Sequence, residues 1–202
     1  DAGVTASHNG GTHMPFEDLG LVRLIPNMKV YEVSDPVQFE NVLRQVADKF
    51  ELSYIRIVRK NMLSLYEKPS TFELGKGVVL KDGNDVTLVA SGIMVEKALS
   101  AAKLLEADGI STAVIDMFNI KPIDKALLEE YAEKTKCIVT AENHNIIGGL
   151  GSAVLEALAE KAVRVKQVGV MNRYGQVGPQ PFLEEEYNLL AKDIVKAVKE
   201  ML

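Results

Sequence analysis

The sequence predicts an α/β fold whose second part carries a mostly parallel five-stranded sheet. Three observations predict it. From about Gly77 onward, short β-branched runs alternate with helical patterns. Those runs are apolar on successive residues, as strands covered on both faces are. The 202 residues are 47% hydrophobic and 25% charged, enough to bury a core without disulfide or metal support. Cys137 is the single cysteine, which excludes a disulfide framework, and with three histidines it argues against a structural zinc site.

Residues 1–15, rich in glycine, histidine and small polar groups, read as a site-type loop. Phe16 to Leu24 has the pattern of a short amphipathic helix and Asn27 to Val33 that of a strand. Asp35-Pro36 starts a helix that runs over Gln38 to Lys49, and Ser53 to Val58 is a second strand. Two strands and two helices cannot close a doubly wound sheet, so this segment is expected to be the latter part of a larger domain. Residues 62–76, with Pro69, Ser70, Thr71 and Gly75, read as a linker.

Beyond it, Gly77 to Leu80 and Asp85 to Ser91 are strands separated by the turn residues Lys81-Asp82-Gly83-Asn84. Met94 to Ala107 is a helix stopped by Asp108-Gly109, and Ser111 to Asp116 the next strand. Asp124 caps a helix with Leu127, Leu128 and Tyr131 on its apolar face. Lys136 to Ala141 is a strand, Ser152 to Lys161 a helix and Val163 to Val170 the fifth strand. Leu183 to Leu202 reads as one closing helix, with Glu184-Glu185-Glu186 as favourable charge at its N-terminus.

A net charge of −5 and a pI near 5.3 leave no basic excess for a nucleic-acid backbone. No apolar run reaches the roughly 18 residues of a membrane span. Asp1-Ala2-Gly3-Val4 has neither a basic start nor an apolar signal core, so no membrane or export role is expected and the cytoplasm is the expected compartment. Asp1 stands where an initiator methionine would, which predicts a processed or truncated chain.

His8-Asn9-Gly10-Gly11-Thr12-His13 is the densest polar cluster. Such residues can ligate metal, move protons or grip a polyhydroxyl substrate, and they also suit a plain surface loop. No carboxylate lies within the cluster, although Glu17 and Asp18 follow one turn downstream. Arg56 and Arg59 end a strand three residues apart, which sets them on opposite faces. Arg59, followed by Lys60, is the better anion ligand, because ligands of open α/β sheets bind outside strand carboxyl ends. Gly148-Gly149-Leu150-Gly151 has the position of a phosphate loop without the spacing of either nucleotide fingerprint, which favours close packing of helix on strand. His144 is expected to bond locally or at an interface, and Cys137 to be an inert core thiol.

Taken together, these segments resemble a known family. Gly10-Gly11-Thr12-His13-Met14-Pro15-Phe16-Glu17-Asp18, then Leu24-Ile25-Pro26-Asn27-Met28 and Ser34-Asp35, are similar to the transketolases. Ile115-Asp116-Met117-Phe118-Asn119-Ile120-Lys121-Pro122-Ile123-Asp124 and Glu142-Asn143-His144 with Gly148 to Val154 resemble hallmarks of that family's C-terminal domain. The resemblance implies a partial pyrimidine-binding-type α/β domain over residues 1–70, followed by a complete C-terminal-type domain over 71–202. It implies transfer of a two-carbon ketol unit between sugar phosphates, with thiamine diphosphate and a divalent metal such as Mg bound by the complete enzyme.

By the same resemblance His13 is the catalytic histidine and contacts donor-substrate oxygens. Arg59 grips the sugar-phosphate tail, and Asn9 takes the place of an aspartate that reads substrate hydroxyls. No cofactor or metal ligand is expected in this chain, since the family's aminopyrimidine-binding glutamate and stacking aromatics fall upstream of Asp1. The implied partners are an N-terminal subunit with the diphosphate-binding domain, a second copy engaged through the C-terminal domain, and the sugar phosphate. Alone, the chain is expected to be inactive. Alternatives are a deoxyxylulose-phosphate synthase, a dehydrogenase E1 β-type subunit, or a non-catalytic assembly module.

Overall fold

Asp35 opens the first long helix as its sequence dictates. Its Oδ1 accepts the amides of Val37 (2.6 Å) and Gln38 (3.3 Å), Pro36 takes the first helical position, and α2 runs over Pro36–Lys49. In the computed structural model, which describes residues 1–58 and 64–202, that helix follows α1 (Asp18–Arg23) and connects two parallel strands, β1 (Lys29–Glu32) and β2 (Ser53–Arg56).

The second part forms a sheet of five strands: β3 (Val78–Lys81), β4 (Val86–Ala90), β5 (Thr112–Asp116), β7 (Cys137–Asn145) and β8 (Arg164–Val170), in the order β3-β5-β4-β7-β8. All neighbours are parallel except β3, which pairs antiparallel with β5. The crossovers are α3 (Met94–Ala107), α4 (Lys125–Lys134) and α5 (Leu150–Ala157). Leu88 and Val139 pack toward α3 and α7 (Ala191–Lys199); Val89 and Ile138 pack on the other face toward α4 and α5. Both faces are covered, which is why the strands read as unbroken apolar runs. The expected α/β class and the mostly parallel five-stranded sheet are as observed.

Two departures bind the parts of the chain together. A short strand, β6 (Asn119–Lys121), leaves the second part and pairs antiparallel with β1, making a three-stranded sheet in the order β2-β1-β6. Three residues give too little period for sequence to mark them as a strand. Residues at the chain start go the other way: Val4, Ala6, Met14 and Phe16 join the core formed by β4, β7, α3 and α7.

The closing helix divides into α6 (Gln180–Glu186) and α7, with Asn188 between them in the left-handed region at φ 58°. Glu184, Glu185 and Glu186 therefore end a helix instead of starting one. Lys97, Lys192 and Arg173 respectively pair with them there, which replaces the expected dipole stabilisation.

Candidate functional site

The candidate site is the segment from Gly10 to Asp18 and the floor beneath it. Gly10 stands at φ 71°, a conformation open to glycine, and turns the chain into a single 3-10 turn over Gly11–His13. Gly11 runs against the loop after β8 so closely that a Cβ there would overlap the Gly175 carbonyl. The turn presents Thr12 and His13 to solvent, beside a cavity of about 290 Å³ that Asp1 and Glu17 also line. A wider groove of about 730 Å³ continues from Thr12 and Glu17 to Tyr174 and Gln176.

His13 Nδ1 lies 2.9 Å from Thr12 Oγ1, and that hydroxyl lies 3.4 Å from the Asn9 carbonyl. The hydroxyl has one proton to give. Given to Asn9, it leaves Nδ1 as donor and Nε2 as a base; given to Nδ1, it leaves Nε2–H as a donor. The outer nitrogen can therefore accept a proton in one tautomer and donate a hydrogen bond in the other, the two capacities acid–base work draws on. His8 and Asn9 are exposed at the end of the preceding 3-10 turn, Gly3–Asn9. Arg59 lies outside the described residues.

Neither downstream carboxylate orients His13. Glu17 Oε2 accepts the Phe16 amide at 3.1 Å, and Asp18 turns inward. There it meets a residue that sequence reading passed over, Arg56, whose side chain is 1% exposed. Arg56 Nε donates to Asp18 (2.8 Å) and Nη1 to Glu32 (2.5 Å); the guanidinium also reaches the carbonyls of Asn143 (3.0 Å) and Pro15 (2.9 Å). Ser91 Oγ closes the set on Glu32 Oε2 at 2.5 Å. The tell-tale in the sequence is a pair of charged residues, Glu32 and Arg56, ending two neighbouring strands in register.

Burial works to raise the Asp18 carboxyl, but Arg56 overrides it and holds the group below the usual range. Burial likewise opposes the Arg56 charge, and Glu32 and Asp18 outweigh it. His144 is pushed down, first by burial and then by Arg56. Its Nδ1 faces the Asn145 carbonyl at 2.7 Å and so carries the proton; its Nε2 is turned toward Asp18 Oδ1 at 3.8 Å. The expected local bond of His144 is thus present.

The glycine segment at α5 packs as expected. Gly148 adopts φ 84°, and a Cβ at Gly149 would overlap Glu142. The amides of Leu150 and Gly151 that could have faced a phosphate donate to Glu142 at 2.7 and 2.8 Å. Burial pushes Glu142 up to about 8 against those two bonds. Among the described residues no group of three or more His, Cys, Asp or Glu is arranged to hold a metal ion, and no helix is long and apolar enough to cross a membrane.

The family model for the pyrimidine-binding domain of transketolase matches residues 1–63, and that for the transketolase C-terminal domain matches residues 75–194. A protein from Clostridium sp. (strain MSTE9) called 6-deoxy-6-sulfo-D-fructose transketolase subunit SqwH is 42% identical over 202 residues, covering all of this chain and 63% of that protein. A putative transketolase C-terminal section from Methanocaldococcus jannaschii is 38% identical over 204 residues, covering 98% and 63%. Proteins called 1-deoxy-D-xylulose-5-phosphate synthase match the whole chain as well. Among solved structures, a split-gene transketolase described as an inactive β4 tetramer superposes with a TM-score of 0.88 at 44% identity, over 95% of this chain and 62% of that one. The chain thus spans about three-fifths of the length of the first two relatives and of that structure.

Proposed function

Because the chain belongs to the transketolase family, a thiamine-diphosphate-dependent family, we propose that it is the C-terminal subunit or section of a transketolase. It would act with an N-terminal partner that supplies the diphosphate-binding domain, and would transfer a two-carbon ketol unit between sugars bearing a terminal anion. Residues 1–70 serve as the latter part of the pyrimidine-binding domain and 71–202 as the C-terminal domain. The observation that carries this reading is the Thr12–His13 pair, exposed on a glycine-bounded turn beside an open groove.

Bound in the assembled enzyme, thiamine diphosphate supplies the electron sink that lets a carbon–carbon bond next to a carbonyl break. The described residues here suit its reacting end, not its diphosphate and metal. The helix amides at α5 are taken by Glu142, and among the described residues no acidic or histidine cluster offers metal ligands. His13 hydrogen-bonds an oxygen at the reacting carbon and moves a proton there through Nε2. Asn9 reads a substrate hydroxyl, and Arg59 supplies paired donors to the terminal anion. The names of two relatives, one a 6-sulfo-fructose and one an apulose-4-phosphate transketolase subunit, both describe such sugars. The same reading includes self-association through the C-terminal domain and a cytoplasmic location.

The test is reconstitution with a diphosphate-domain subunit and a ketose-phosphate donor. His13→Ala is expected to lower turnover about 100-fold or more, the usual size of a lost acid–base group, with cofactor affinity unchanged. Unaltered turnover overturns the assignment of His13. Activity with pyruvate but not with ketose donors transfers the chain to the deoxyxylulose-phosphate synthase reading.

A further inference from the structure

The loop that bears His13 is exposed, yet a buried cation holds its far end. Pro15, two residues beyond His13, gives its carbonyl to Arg56 Nη2 at 2.9 Å. Phe16 gives its carbonyl to the Asn145 amide at 2.9 Å, and its ring stacks edge-on against Tyr187, with centroids 5.2 Å apart. The same guanidinium reaches the Asn143 carbonyl on β7, while Asn143 Oδ1 accepts the Val4 amide at 3.0 Å and its Nδ2 donates to the Ala2 carbonyl at 2.9 Å. The Arg56 side chain thus joins β2, β1, α1 and β7 to the Pro15 end of the segment 2–16, and the Asn143 side chain holds its other end.

We propose that Arg56 is a positioning residue for the His13 loop: its forked donors fix the Pro15 carbonyl and so the place of His13 over the groove. The proposal rests on the reading of His13 given above. A guanidinium suits the task because its planar fork meets four oxygens in fixed directions, which an ammonium cannot do. A buried pair of this kind is weak evidence of net stability, since desolvation offsets much of the Coulomb gain. Two carboxylates with one guanidinium, extended to two carbonyls, are better explained by the geometry they impose. Glu32 and Asp18 grip the guanidinium on separate nitrogens, so its remaining N–H groups are aimed, not free to wander. The effect on the reaction is through His13 alone, because Arg56 is sealed from the groove.

The chain has three histidines, His8, His13 and His144, so a spectrum of its histidine Cε1–H groups contains three signals. In Arg56→Gln, with a cooperative melt retained, the His13 signal is expected to shift and broaden, and amide exchange over residues 13–17 to quicken at least tenfold. Arg56→Lys keeps the charge without the fork and is expected to give a smaller change in the same sense. In the reconstituted enzyme kcat should fall about 10- to 100-fold with KM within twofold, as misplacement of a reacting group does. A His13 signal and loop exchange unchanged in both variants overturn the proposal. If Arg56→Gln does not fold, Arg56→Lys decides by the same two readings. Failure here with His13→Ala still inactive removes only Arg56's role; an active His13→Ala enzyme removes the functional reading and leaves the spectral result standing.

Discussion

The Tyr66 hydroxyl donates to Asp116 Oδ2 at 2.6 Å, and this bond ties the segment after residue 63 to the end of β5 in the five-stranded sheet. Asp116 is fully buried and also receives Ser34 Oγ at 3.0 Å and Gln38 Nε2 at 2.9 Å. Asp35 continues the join, its Oδ2 accepting the amides of Leu65 (2.6 Å) and Tyr66 (3.3 Å). The Asp116 carboxylate of one part thus collects donors from α2 and from Ser34, the residue before its cap, in the other.

Tyr66→Phe removes one donor from a buried carboxylate and leaves the ring's edge-on contact with Phe72 in place. The expected loss is about 1–3 kcal/mol, the cost of a buried polar group left short of a partner. Urea unfolding measures it, and amide exchange at Leu65 and Tyr66 should quicken while that of β7 does not. A loss below about 0.5 kcal/mol would mean that Ser34 and Gln38 alone satisfy Asp116.

Stability should fall as pH rises across the acid-to-neutral range, on account of two carboxyls. Burial, against its three hydrogen bonds, pushes Asp116 up to about 6, and burial pushes Glu142 up to about 8. A raised carboxyl binds its proton more tightly in the folded chain. Its contribution is therefore complete below the unfolded value and lost as pH rises through the folded one. The windows are from about 4 to 6 for Asp116 and from about 4.5 to 8 for Glu142. Asp18 and His144 act in reverse: the lowered Asp18 value adds stability that disappears only as pH falls below the ordinary carboxylate range, and the lowered His144 value adds stability that is lost as pH falls below the ordinary histidine range, offsetting part of the carboxyls' decline. Denaturant midpoints measured from pH 4 to 8 should decline for the parent chain. Asp116→Asn should flatten the decline between 4 and 6 and leave the upper part to Glu142. An identical slope in parent and variant would show that Asp116 does not titrate in that range.

What the sequence made legible was periodic. The five strands of the second sheet, α3 and the caps at Asp35 and Asp124 follow from alternation, length and residue type, signals local to each segment. What it did not make legible was long-range. β6 exists because β1 offers an edge to three residues of a connecting segment, and Asn188 breaks the closing helix at one backbone angle. In the site, Thr12 and His13 stood out as an exposed polar pair among glycines. Arg56 did not, because a charged residue at a strand end reads as surface until Glu32, Asp18 and two carbonyls are known to converge on it. Several of the motifs that carried the family resemblance are staples. Asp116 gathers Tyr66, Gln38 and Ser34, Asn119 accepts the Gly75 amide at 2.8 Å, and Glu142 caps α5.

The near end of the His13 loop depends on two glycines. A Cβ at Gly11 would overlap the Gly175 carbonyl, a backbone atom that cannot swing aside as a side chain can. A Cβ at Gly175 would stand 3.0 Å from Gly11 Cα and 3.2 Å from Met14, a contact relieved by a shift of a few tenths of an ångström. The loop around Gly175 is itself anchored, since the Tyr187 hydroxyl donates to the Tyr174 carbonyl at 2.7 Å and Arg173 pairs with Glu186. Gly11→Ala must therefore displace the His13 turn instead of the loop it meets. Its stability cost is expected to be about 1–2 kcal/mol, within the usual range for overpacking. Its turnover in the reconstituted enzyme should fall about tenfold or more, because placement of a reacting group is less forgiving than folding. Gly175→Ala should reduce both quantities less. Steady-state kinetics beside thermal melts of the two variants make the comparison, and a Gly175→Ala enzyme slower than Gly11→Ala would show that the loop after β8, not the His13 turn, gives way.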